Sequence, residues 1–114
     1  MVTIAITPVP AVANLQIITV KGSIDAVTSK QVDEKVLSVI DQGSNIIFDL
    51  SKVHYLSSIG MMSLINYLKS TADKKRLCKF VKPPTHVYHG LEVAGIAEKF
   101  DMYDTIEAAI RSFR

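Results

Sequence analysis

Two adjacent hydroxyls, Ser57 and Ser58, stand just ahead of Gly60, where Met61, Leu64, Ile65 and Leu68 begin to recur at i, i+3, i+4 and i+7. That periodicity predicts an amphipathic helix starting just beyond the serines. A serine at such a threshold has two chemistries open to it. Its oxygen can accept from an unpaired backbone amide, a cap worth about 1 kcal/mol. Its hydroxyl can also take a phosphoryl group, adding about −1.5 to −2 charge at neutral pH beside amides that favour anions. The two roles are compatible. Asp25, which follows Gly22-Ser23-Ile24, is read as the N-cap of the next helix.

Other chemistries find little support. His86 and His89 stand at i and i+3 on an expected helix, and His54 lies in the Ser51–Ser58 segment, but no Cys or acidic residue stands at a metal-ligand spacing from them. No metal site or other cofactor is expected. The five glycines are scattered singly and form no phosphate-binding loop. Ser58, a histidine and Asp25 or Asp49 supply the residue types of a hydrolytic triad, yet almost any chain holds them, and there is no G-x-S-x-G turn. Tyr55, Tyr67, Tyr88 and Tyr103 are far apart with no basic stripe between them, so they read as packing residues rather than stacking platforms for nucleic acid. The chain is read as a binding module and not an enzyme.

The elements that must carry these residues follow from the apolar pattern. Val2, Ile4 and Ile6 alternate as a first strand; after Pro8 and Pro10, Leu15, Ile17, Ile18 and Val20 give a second that Gly22 closes. Val32, Val36, Val39 and Ile40 make one helical stripe opposite Lys30, Asp33, Glu34 and Asp41, and Gly43 ends that helix. Ile46 to Leu50 is too continuously apolar for a strand with a wet face and is taken as central. A loop, Ser51–Ser58, leads into the serine helix. Leu77 to Val81 forms a further strand stopped by Pro83 and Pro84, then comes a helix over Thr85–Val93 ending near Gly95. A last helix is announced by Asp104 and Glu107 in a capping-box-like spacing. The order is α/β: a mixed sheet of about four to five strands packed with about four α-helices.

The 114 residues are read as one domain, 1–114, with 48% hydrophobic and 21% charged residues, enough apolar matter for a core and an ordinary soluble surface. A net charge of +2, with Lys74, Lys75 and Arg76 the only tight basic cluster, argues against nucleic acid. Cys78 is alone and lies among Leu77, Phe80 and Val81, so it reads as a half-buried strand residue in a reducing compartment. Nothing approaches the ~20 apolar residues of a membrane span, and no basic start with a long apolar run opens the chain. No direct membrane insertion is expected, and a cytoplasmic location is.

The stretch Asp49-Leu50-Ser51-Lys52-Val53-His54-Tyr55-Leu56-Ser57-Ser58-Ile59-Gly60 resembles the signature of STAS domains, in which D-L-S-x-V-x-[FY]-[LM] leads to a Ser/Thr-rich turn, a glycine and a helix. Gly22-Ser23-Ile24-Asp25 is similar to the family's G-x-[LI]-D; Val87, Leu91, Val93 and Gly95 follow its third helix, and Asp104 to Ala109 its last. The resemblance thus runs through nearly the whole chain in order. It implies a STAS-like fold and, within the family, an anti-sigma factor antagonist. In that class an anti-sigma factor that is also a serine kinase phosphorylates the first hydroxyl of D-S-[ST]-G-L-G. With the glycine set at Gly60 that hydroxyl is Ser58; Ser57 stands where the family has Asp, Ile59 replaces the second hydroxyl residue and Met62 the second glycine.

The resemblance implies that the unphosphorylated protein binds its anti-sigma factor through Asp25, Ser57, Ser58, Ile59, Gly60 and Met62, releasing a sigma factor, and that phosphate on Ser58 ends binding. A phosphoserine phosphatase is the further partner such a cycle admits. The altered turn leaves open a second implication: a STAS docking subunit of a transporter or other regulatory assembly, without the phospho-switch.

Overall fold

The computed structural model describes residues 2–114, so Met1, the first residue of the expected unit, lies outside them. The apolar alternation at the start forms a hairpin: β1 (Val2–Pro8) pairs antiparallel with β2 (Leu15–Ile24), from Val2 opposite Gly22 to Pro8 opposite Gln16. Helix α1 (Ser29–Asp41) follows, then β3 (Asn45–Asp49), which lies parallel to β2 with Leu15 opposite Asn45. After a tight turn come β4 (Val53–Leu56) and helix α2 (Ser58–Asp73). The chain continues through β5 (Cys78–Val81), α3 (Thr85–Val93), a 3-10 turn at Ala97–Lys99, β6 (Met102–Tyr103) and α4 (Ile106–Arg111).

The sheet runs β1-β2-β3-β5-β6, with β4 pairing along the far end of β2. Every pairing after the opening hairpin is parallel, which makes the sheet mixed and puts β3 at its centre, as the continuous apolar run required. The described residues form six strands, close to the about four to five expected. The two that had no individual strand reading are short: β6 has two residues, and β4 buries Val53 and Leu56 while exposing His54 and Tyr55, an in-out-out-in pattern without the period of two that marks a strand in sequence. Gly22 does not close β2. It sits inside the strand at φ 123, next to a shift in register between Gly22 and Ser23 that lets β2 pair with β3 first and β4 later.

The main core lies between one face of the sheet and helices α1, α2 and α3, with Ile18, Val20, Ile46, Phe48 and Phe80 meeting Val32, Val36, Leu64, Tyr67 and Leu91. On α2 the buried stripe is rotated from the expected one: Gly60, Ser63, Leu64, Tyr67 and Thr71 are buried, while Met61, Ile65 and Leu68 are only partly covered. Tyr67 explains the rotation, because its ring stacks on Phe48 at 5.8 Å and its hydroxyl donates to Asp33. Asp33 is therefore half-buried against α2 rather than on the solvent side of α1. Burial and this hydrogen bond push the Tyr67 phenol well above its ordinary range.

The second face is covered by α4 and the hairpin turn, around Val9, Leu15, Ile47, Val81 and Ala109. Lys79, on β5, points into this layer with its ammonium 2.9 Å from Ser112 Oγ, 3.3 Å from Tyr103 Oη and 3.6 Å from Asp101 Oδ2. It also lies 4.7 Å from the Phe113 ring centre, a cation–π contact. The cap of α4 is Thr105, whose side chain accepts from Ala108 N, one residue beyond the expected Asp104. Cys78 is fully rather than half buried, and burial pushes its thiol far up. Leu77, by contrast, precedes β5 and is exposed, and so is Tyr55, which was read as packing.

Candidate functional site

The site is built where β2 and β4 end side by side. Their parallel pairing sets Ile24 opposite Leu56, so the residues that follow, Asp25 and Ser57, emerge at the same edge of the sheet. Ser57 N–H then donates to Ile24 C=O at 3.0 Å, joining the two exits directly. Helix α2 starts at once and passes so close to β2 that only a glycine fits its third position. A Cβ on Gly60 would collide with the Ile24 carbonyl oxygen and lie 2.8 Å from Leu56 Cδ1 and 3.2 Å from the Ile24 carbonyl carbon. Gly60 is accordingly buried, and its place in the site is to let the helix approach.

The two serines divide the two chemistries open to them. Ser57 is the N-cap of α2, in extended backbone, with its side chain accepting from Gly60 N–H at 3.1 Å. Ser58 is the first helical residue, and it is exposed. Among the described residues, Ser57 is the one of the pair whose hydroxyl is engaged in a hydrogen bond. Ile59 and Met62 face outward on the same first turns, 48% and 69% exposed.

Asp25 is not the N-cap of α1. The helix starts four residues later, with Thr28 at the cap position. The Asp25 carboxylate instead closes the turn ahead of the helix, accepting from Val27 N–H at 2.9 Å and Thr28 N–H at 3.1 Å. The Thr28 hydroxyl completes the turn, donating to Ser23 C=O at 2.6 Å and accepting from Asp25 N–H at 3.1 Å. The Thr28 amide above all, and then that of Val27, hold the Asp25 carboxyl below its ordinary value against the opposing effect of desolvation. At the tip of this turn Val27 is 87% exposed. A lone valine beside Ala26 and outside the helical stripe was its only signal in the sequence, and it was missed.

Ser58 also lines one end of a groove of about 570 Å³ between the β4–α2 junction and α3, together with Tyr55, Met61, His86 and Val93. His86 Nε2 donates to His54 C=O at 2.6 Å and ties α3 to β4, while Met61 packs beneath Gly90, whose added Cβ would lie 3.2 Å from its Cε. Tyr55, His86 and Val93 are further residues of this surface that sequence reasoning did not assign to it. No group of three or more His, Cys, Asp or Glu among the described residues is placed to hold a metal ion, and none of their helices is long and apolar enough to cross a membrane.

Comparison with known proteins agrees with this architecture. The family model described as STAS domain matches residues 7–109. A protein of Bordetella bronchiseptica, provisionally described as the anti-sigma factor antagonist BtrV, is 24% identical over 98 residues, 82% of each chain. Among solved structures, an anti-sigma factor antagonist from Mycobacterium paratuberculosis superposes with a TM-score of 0.87 at 20% identity, over 100% of this chain and 95% of that one. The Bacillus cell fate determinant SpoIIAA in its phosphorylated form gives 0.74 at 18% identity, over 98% of this chain and 100% of that one.

Proposed function

Since the chain belongs to the STAS domain family, we propose that it is an anti-sigma factor antagonist: a cytoplasmic, single-domain binding protein, not an enzyme, controlled by phosphorylation of Ser58. Unmodified, it docks on an anti-sigma factor with serine kinase activity and so releases a sigma factor. Phosphorylated by that partner, it lets go, and a phosphoserine phosphatase resets it. The observation that carries this reading is the division of labour at the α2 threshold. Ser57 holds the cap, so the exposed Ser58 hydroxyl can be modified without removing a bond the helix start depends on.

The surroundings support a docking surface. Val27, Ile59 and Met62 supply exposed apolar area around the Asp25 turn and the first turns of α2, as a buried interface centre requires. A dianion on Ser58 lies next to the amides of the α2 N-terminus, which stabilise a nearby negative charge by ~0.3–1 kcal/mol, so the scaffold tolerates it. The partner does not. Burying that charge without a matching cation is costly, and a penalty of ~2.8 kcal/mol already weakens binding about a hundredfold.

The test is a binding titration of wild type, Ser58→Ala and Ser58→Asp against the anti-sigma factor purified from the native host, with phosphosite mapping after incubation with ATP. Ser58→Ala should bind like wild type and take no label; Ser58→Asp should lose about two decades of affinity. Equal affinity of wild type and Ser58→Asp, or label on Ser57 alone, would sink the switch. Retained docking on a transporter in place of any kinase would favour the docking-subunit reading.

A further inference from the structure

Strand β1 ends the sheet, and among the described residues no strand pairs with its outer side. Val9 N–H donates to Leu15 C=O, continuing the β1–β2 register in which partner numbers sum to a constant. In an antiparallel ladder such bonded pairs alternate, so Thr3, Ala5 and Thr7 direct their amides and carbonyls to β2. Those of Val2, Ile4 and Ile6 point away from the sheet and find no partner among the described residues. Pro8 occupies the next outward position, where its missing N–H breaks no bond of the sheet and terminates the usable edge.

Edge strands are normally blunted by charge, early proline, bulges or a covering segment. Val2 to Thr7 carries none of these: it is uncharged, regular in register and rich in β-branched residues. Its side chains on the helix face run from Val2, buried, through Ile4, partly covered, to Ile6, 39% exposed, so the apolar layer fades out at this edge instead of closing.

We infer that the β1 edge pairs antiparallel with β1 of a second copy of this chain, about a two-fold axis at Ile4, joining two sheets into one. This register brings each outward residue opposite an outward residue, Ile4 facing Ile4 and Val2 facing Ile6, so every pair exchanges both of its hydrogen bonds. It also sets the exposed Ile6 beside the buried Val2 of the other copy, continuing the apolar layer across the axis. Among the side chains of the described β1–β2 hairpin, the one charge is Lys21, beside Thr3 on β2. In the pair the two Lys21 residues are three strand spacings apart, roughly 14 Å. That exceeds the ~8–10 Å screening length at physiological salt, so they do not oppose association. The edge is thus its own complement in hydrogen bonds, and no charged side chain on β1 opposes the pairing. The Ser58 surface is built from β2, β4 and α2 and stays open.

Sedimentation equilibrium of the full chain at tens to hundreds of micromolar should return twice the 12.6 kDa chain mass. Ile6→Pro removes an outward donor without breaking a β1–β2 bond, and Ile6→Lys sets a cation at the seam. Both should sediment at the single mass with an unchanged circular dichroism spectrum. In the wild type alone, amide exchange at Ile4 should slow at least tenfold with rising concentration while that of Ala5, already bonded to β2, does not change. A wild type that stays at the single mass overturns the inference. So does a dimer that persists in both variants, or exchange at Ile4 indifferent to concentration.

Discussion

A hydroxyl that caps a helix and a hydroxyl that carries a signal make opposite demands, because the first must stay bonded and the second must be available. Ser57 meets the first demand, and the exposed Ser58, one residue on, is free to meet the second under the proposed switch. Ser57→Ala should therefore lower stability by about 1 kcal/mol in urea unfolding. Ser58→Ala should stay within about 0.5 kcal/mol of wild type, as an exposed substitution away from a cap does. Asp25 makes a prediction in pH. Folding lowers its pKa, so its stabilising effect is full above the ordinary value of 3.8 and is lost as pH falls through the lower folded value. Asp25→Asn should be less stable than wild type at neutral pH, with the gap narrowing as pH falls below 3.8, measured by urea midpoints across that range. At this scale the sequence was informative about residue types and less so about their bonds. Asp25 could be picked out as a carboxylate that accepts from backbone amides, but it was read as the helix cap; which amides it accepts from depends on where Thr28 lies relative to Ser23, and that is set by β2 running on to Ile24.

At the scale of elements, the site depends on β4 and α2 lying tight against the end of β2. Gly60→Ala tests that contact, since the added methyl meets backbone and not a flexible side chain. The variant should lose about 1–3 kcal/mol, and partner affinity should fall because the α2 threshold shifts away from the Asp25 turn. A crystal structure with Ser57 N–H still bonded to Ile24 would contradict this. The helices were legible in the sequence because a run of 9 to 16 residues repeats its apolar stripe several times, as in α1, α2 and α3. β4 was not. Four residues with His54 and Tyr55 both exposed carry no alternation, and they are a strand only because Gly22 and Ser23 offer pairing groups beside them. The stripe of α2 was misjudged by part of a turn for a related reason: a tyrosine counts as buried only once Asp33 is there to receive its hydroxyl bond.

At the scale of the whole molecule, the two faces of the sheet are unequally secured. Three helices cover one; the other is held by the short α4, with Lys79 reaching Ser112, Tyr103 and Asp101 beneath it. Lys79→Met should loosen that layer first. Amide exchange in α4 should speed up by about tenfold or more, while α1 on the opposite face keeps its protection, because a hydrogen bond from a charged group is worth about 1.5–3 kcal/mol. The mixed α/β order and the central position of β3 were readable from the chain, whereas Lys79 as a buried anchor was not, since its partners lie 22 to 33 residues downstream. The bond from Ser57 to Ile24 reaches further than the few atoms it joins. It ties the Asp25 turn to the start of α2, so under the proposed docking a partner would meet both contact points already set in their relative positions, and little freedom would be forfeited. Under that proposal, a phosphate buried in the contact would change how long a complex lasts more than how often one is formed.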